Sequence, residues 1–156
     1  MAIGQTDLSR TLIMERYIST QLFNAIPRDQ GDFRPQEDMR TIAGQLSHIG
    51  AFDDFLFLGI RDGSWAADVF TDRPEKTVEE ALAYLDFTRT RLLKLIEELT
   101  EERLVEPIGP NPIFSPQMGL SNVILTTLLH ECHHRGQLVT YLRLLGVTPP
   151  PLGGVS

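Results

Sequence analysis

The sequence predicts an all-α protein: a four-helix bundle with two long crossover connections. Three observations lead there. Four stretches repeat apolar residues at three- and four-residue steps, and no strand-like alternation stands out between them. Two of the segments that separate these stretches are long and rich in turn or proline residues. The chain has 156 residues, 42% of them hydrophobic and 22% charged. That suits one soluble domain, taken as residues 1–156, large enough to bury a core without disulfides.

The first helix is read over residues 5–26. Leu8, Leu12, Ile13, Met14, Tyr17, Ile18, Leu22 and Phe23 recur every few residues, and Pro27 ends the run. Asp29, Gly31, Asp32 and Pro35 then supply turn chemistry. The second helix is read over 38–60, with Ile42, Leu46, Ile49, Phe52, Leu56 and Ile60 on one face. His48 sits at the edge of that face, with Gly44, Gln45 and Phe52 as its neighbours across a turn. Gly44 and Gly50 each cost about 1 kcal/mol relative to alanine inside a helix. Close helix approach is one reason to keep them.

Residues 62–76 form a long loop holding Trp65 and Phe70. Aromatics in such a place cover a core edge more often than they bind a ligand. Loops of this length are often functional. Thr77-Val78-Glu79-Glu80 is a capping box that opens the third helix, read to residue 99. Val78, Leu82, Leu85, Leu92, Ile96 and Leu99 mark its seam, interrupted by Arg89. That arginine either snorkels to water, the commoner case, or pairs with an acid near a pocket. Residues 100–119 carry four prolines and make the second long connection.

The last helix is read over 120–145, capped near Ser121 and stopped by Gly146 before three prolines. On a helical wheel Val123, His130, His134, Leu138, Tyr141 and Leu145 share one sector. Leu125, Leu128, Cys132 and Val139 occupy a second sector almost opposite. A helix apolar on both sides meets two neighbours. One is its own bundle. The other is expected to be a second subunit, so a homodimer is predicted.

The net charge is −7 and the pI about 5.0. Without a basic run, neither nucleic acid nor an anionic membrane is an expected partner. One cysteine, Cys132, excludes an internal disulfide framework and fits a reducing compartment. No signal peptide or bilayer-length apolar run is visible, so a cytoplasmic location is expected.

His130 and His134 are four apart and point the same way from one helix. Such a pair can grip one metal ion, although a His-rich, partly exposed helix shows the same spacing. His48 on the facing helix supplies a third imidazole. Bundles build metal sites on inward faces in this manner. Three neutral imidazoles leave a divalent ion its charge and an open position for water or a small-molecule substrate. Zinc suits the donors best, with nickel or iron as alternatives. An ion so held lowers the pKa of bound water or stabilises a thiolate. Glu131 and Gln137 are candidates for orienting an imidazole N–H, and Gln45 and Asp53 have the same standing. Glu131 lies about 100° round the helix from His130, so a solvent or interface role is equally open to it. His133 falls on the polar side, and Cys132 points about 200° away from His130. Neither is counted as a ligand.

Taken together, Ser47-His48, then His130-Glu131-Cys132-His133-His134-Arg135-Gly136-Gln137, then Tyr141-Leu142-Arg143 and Gly146 before the prolines, resemble the DinB/YfiT-like metalloprotein superfamily. The resemblance covers essentially the whole chain by length and element order. It implies a four-helix bundle, often dimeric, with one divalent metal on three histidines, here His48, His130 and His134. It also implies, among characterised members, thiol-dependent S-transferases and an isomerase that use a low-molecular-weight thiol. The expected function is therefore a metal-dependent enzyme, a thiol-dependent S-transferase or a related hydrolase. The competing reading is a non-catalytic, metal-stabilised dimer acting as a stress-response or binding protein. If an anionic thiol is used, the acidic chain must supply local cations, with Arg89, Arg135 or Arg143 as candidates.

Overall fold

A computed structural model describes residues 4–66, 68 and 77–151. It contains α1 (Gln5–Asn24), α2 (Ile42–Asp62), α3 (Val78–Glu97), the short α4 (Glu101–Val105) and α5 (Leu120–Leu144). No strand occurs among the described residues, and the chain is an all-α bundle of four long helices plus one short one. No helix among them is long and apolar enough to cross a membrane.

The caps explain the boundaries. Thr41, not a residue near Asp38, starts α2: its hydroxyl accepts the Gly44 N–H at 3.0 Å. Residues 28–30 are a separate 3-10 turn after Pro27. The Thr77–Glu80 capping box forms as expected, with bonds of 3.1 and 3.2 Å. The prolines of the second connection do not keep it free of helix. Thr100 caps the Arg103 N–H at 3.2 Å and starts α4 before Pro107 is reached. The rest folds into a hairpin-like turn closed by the Pro107–Gly119 bridge and by Ile108 N to Met118 O at 3.1 Å. Helix α5 opens on Gly119, which has no side chain to cap it, and Ser121 is buried inside the first turn. It ends before Gly146, whose φ of 75° suits a residue without a Cβ.

Two apolar clusters lie along the bundle axis. At one end Leu8, Leu12, Phe55, Leu56, Leu92, Ile96, Val123 and Ile124 pack together. At the other end Leu22, Phe23, Leu46, Ile49, Leu85, Leu138 and Tyr141 do so. Low α1 numbers meet low α5 numbers, so these helices run parallel. Helices α2 and α3 are also parallel, as Asp53 meets Arg89 and Phe57 meets Arg91. Parallel neighbours need a long link, and 63–77 provides one. Gly50 lets α2 and α3 approach closely: a Cβ there would lie 2.9 Å from the Tyr84 ring and 3.2 Å from the Leu85 backbone. Gly44 has no such role. Trp65 covers a core edge, with its ring over Gly59 and 5.2 Å from Phe55. Phe70, most of the 62–76 loop and the end of the proline tail lie outside the described residues.

Between the clusters sits a buried ionic clamp. Arg89 is 3% exposed, so the snorkelling expectation fails. Its guanidinium donates to Asp53 at 2.9 and 3.1 Å and to Glu131 at 2.8 Å. Arg16 donates to the same two acids, at 3.3 Å and at 3.0–3.3 Å. Two cations and two anions thus join α1, α2, α3 and α5. Burial alone would raise the Glu131 pKa, but Arg16 and Arg89 overcome it and hold the carboxyl at about 2.

Candidate metal centre

Helices α2 and α5 run antiparallel and bring three histidines together. His48 comes from the inner face of α2. His130 and His134 come from successive turns of α5. Their ring centroids lie 4.5–4.9 Å apart. The Nε2 atom of His130 is 3.2 Å from Nε2 of His48 and 3.2 Å from Nε2 of His134. One donor atom from each residue lies within 4.8 Å of the others.

The donor set passes a simple fit test. Zinc–imidazole bonds of about 2.0–2.1 Å at a tetrahedral angle put two donor nitrogens about 3.3 Å apart. Two of the three pairs are spaced at 3.2 Å, and all three donor atoms lie within 4.8 Å of one another. Three ring nitrogens crowded on one point cannot all be satisfied by hydrogen bonds with each other, since each N–H serves one acceptor. A cation at the centre satisfies all three lone pairs. His48, His130 and His134 can therefore hold a metal ion.

Electrostatics keep the imidazoles in the ligating form. Burial is the main cause, and nearby cationic or imidazole groups add to it. His48 falls to about 4, helped by Arg40 and His133. His130 falls to about 2, helped by His134, His48 and His133. His134 falls to about 4, with His48 the next cause. All three rings are neutral at neutral pH.

The surrounding side chains fix the rings. Gln45, one turn before His48 on α2, places its Oε1 2.5 Å from the second nitrogen of His134. Gln137 places its own Oε1 2.9 Å from the same nitrogen. A carbonyl oxygen there makes Nδ1 the protonated position and leaves Nε2 free to coordinate. Phe52, one turn after His48, stacks on His130 at 4.2 Å and 15°. The Gln45 amide donates to the Tyr141 hydroxyl at 3.3 Å, and that hydroxyl donates to the Arg40 carbonyl at 3.0 Å.

Of the sequence candidates, Gln137 and Gln45 stand against an imidazole, whereas Glu131 and Asp53 do not. One residue on from His130 the helix has turned by about 100°, which aims Glu131 at Arg16 and Arg89 instead. Asp53 is drawn into the same clamp by a similar turn from Phe52. Cys132 lies on the α1 side, with Sγ 3.6 Å from Glu15 and 3.2 Å from Arg135. His133 bonds Gln137 at 3.1 Å, outside the trio. Neither Arg89 nor Arg135 faces the histidines, since Arg135 pairs with Glu15 at 3.0 Å. A cation that does act on the histidines is Arg40, which lay outside the periodic run read as the core face. Its charge reaches both His48 and His134.

Comparison with known proteins bears on the family and the fold. A curated Bacillus subtilis relative, the uncharacterized protein YjoA, is 27% identical over 140 residues, covering 89% of each chain. The crystal structure of a DinB-like protein from Bacillus subtilis superposes with a TM-score of 0.70 at 22% identity, over 92% of this chain and 95% of that one. A DinB-like protein from Bacillus cereus gives 0.73 at 17% identity, over 97% and 99%. Residues 11–138 match the DinB superfamily itself, and the chain belongs to that superfamily.

Proposed function

We propose that the chain is a metal-dependent enzyme, with one divalent ion held by His48, His130 and His134 and with a low-molecular-weight thiol as co-substrate. Zinc is the first choice of ion and nickel or iron the next. The observation that carries the reading is the convergence of three neutral imidazole nitrogens, one of them backed by two glutamine oxygens. When bound, such an ion lowers the pKa of a thiol or water that it ligates. The chain's own residues do the rest. Gln45 and Gln137 orient His134. Phe52 fixes the plane of His130 and keeps water from that side. In S-transfer to a chloro-aromatic, the sulfur lone pair forms the C–S bond as the C–Cl bond breaks. The thiol proton and chloride then leave to solvent. Hydrolysis by water at the same place is the related variant.

Three ligands are the number found at catalytic zinc sites, whereas structural sites close with four. That favours the enzyme over a metal-stabilised binding protein. A homodimer is part of the proposal. Ile13, Met14 and Tyr17 on α1 and Leu129 on α5 are large apolar residues left exposed on two adjoining helices.

The test is metal content per untagged chain by mass spectrometry, for wild type and His48→Ala, followed by thiol conjugation assays. The expected result is close to one divalent ion per wild-type chain, much less in the variant, and conjugation that a chelator abolishes. Absence of metal in both proteins after incubation with zinc or nickel refutes the site. Bound metal without turnover of any common thiol refutes the transferase.

A further inference from the structure

We propose that Arg40 and the uncovered helix surface at Gly44 form an anion subsite beside the histidine trio, one that takes a carboxylate of the bound ligand. The proposal rests on the metal-site reading above and adds a ligand class to it. Arg40, Gly44 and His48 follow one another at four-residue steps. Gly44 and His48 therefore stand on one face of α2, and Arg40 precedes its first turn. A Cβ added to Gly44 would meet only the Thr41 hydroxyl at 3.1 Å and the Arg40 Cβ at 3.6 Å among the described residues. The Arg40 side chain thus starts against Gly44, and no side chain fills the step between it and His48. Glycine is costly at a helical position, and no neighbouring helix presses on this one. The close Thr41 cap favours glycine there, and the rest of that face is left open to a ligand.

The Arg40 backbone is held in place. Its carbonyl accepts from Tyr141 at 3.0 Å, Tyr141 accepts from Gln45, and Gln45 contacts His134. Tyr141 and Gln45 thereby tie the Arg40 backbone to one donor imidazole. The guanidinium is exposed, and no carboxylate pairs with it among the described residues. By contrast Arg16, Arg89, Arg91, Arg103 and Arg135 each face one. In a chain of net charge −7, an exposed cation that starts against Gly44, one turn before His48, is suited to an anion from outside. The planar guanidinium fork matches a carboxylate with two parallel bonds, a geometry that lysine does not reproduce.

The test uses the full chain loaded with cobalt(II), whose visible spectrum reports both metal uptake and ligand binding. The probes are 3-mercaptopropionate and 2-mercaptoethanol, which share the thiol and differ in the carboxylate. Wild type is expected to bind 3-mercaptopropionate about tenfold tighter, as one charge-assisted contact supplies. Arg40→Gln should bring the two probes to equal affinity, and Arg40→Lys should keep part of the preference. Equal affinities in wild type, or a preference that survives Arg40→Gln, overturns the subsite. Cobalt uptake with no preference leaves the metal reading standing. Failure to take up cobalt at all overturns both.

Discussion

Glu131→Gln is the most informative single change outside the histidines. Glu131 is 1% exposed and receives bonds from both Arg16 and Arg89. The four clamp residues sum to zero charge. Neutralising Glu131 leaves two buried guanidinium groups sharing Asp53 alone. Breaking a buried pair from one side costs about 3–5 kcal/mol, because a charge is stranded away from water. For a domain of this size each kcal/mol lowers the melting temperature by about 2–4 °C, so the expected loss is about 6–20 °C. Urea and thermal unfolding followed by circular dichroism, with chelator present so that ligand binding does not mask the effect, measures it. The control is Asp86→Asn. Its carboxylate lies 3.9 Å from Arg16 but is 75% exposed, and the expected cost is about 0–1 kcal/mol. Replacing all four clamp residues with apolar ones of similar size should be far milder than Glu131→Gln, since no charge is then stranded. If Glu131→Gln falls within 1 kcal/mol of wild type, the clamp is solvated and the reasoning is wrong.

Three further outcomes are expected. Gln45→Leu should weaken metal binding by about 10–100-fold, measured by competition with a chromogenic chelator, because His134 loses its orienting partner. Unaltered affinity would assign that work to Gln137 alone. The metal-free protein should lose stability as pH falls. The histidines titrate near 6.5 when unfolded but only at about 4 for His48 and His134. Between those values the unfolded chain binds more protons, which favours unfolding by at most about 1.4 kcal/mol per histidine per pH unit, and less for the more exposed His48. Flat urea midpoints across that window would contradict neutral imidazoles. Sedimentation should show a dimer at micromolar concentration that Leu129→Asp dissociates, and a wild-type monomer would remove the dimer.

The helices were legible because their signals are local. Thr77 and Glu80 announce a cap within four residues, and Pro27 announces an end. The three histidines were legible because His130 and His134 share a helix face and His48 is the remaining inward candidate. What escaped depends on neighbours far along the chain. Arg16 gave no hint of its partners, which lie 37 and 115 residues away. Arg89 on a hydrophobic seam read as a snorkelling residue because nothing local marks Asp53 and Glu131 as its acids. Helix α4 was hidden by the prolines that follow it, although Thr100 with Glu101 and Glu102 is a helix start. Arg40 lies before α2 begins, and only the packing of Tyr141 against its carbonyl brings it to the site.

The clamp and the trio are carried by the same two helices, and this bears on which function fits. On α5, His130 faces the trio while Glu131, one residue on, faces Arg16 and Arg89. On α2, Phe52 stacks on His130 while Asp53 enters the clamp. The clamp therefore fixes how α2 and α5 are rotated against each other, and with it where the imidazoles point. Two apolar clusters hold these helices on either side. These contacts join α2 to α5 independently of the trio. In sites where the ion does that work, its binding free energy is folding free energy and chelation unfolds the chain. Here chelation should leave helicity and cooperative unfolding in place while abolishing thiol turnover. Collapse of the fold on chelation would instead make the ion structural and favour the metal-stabilised binding protein over the enzyme.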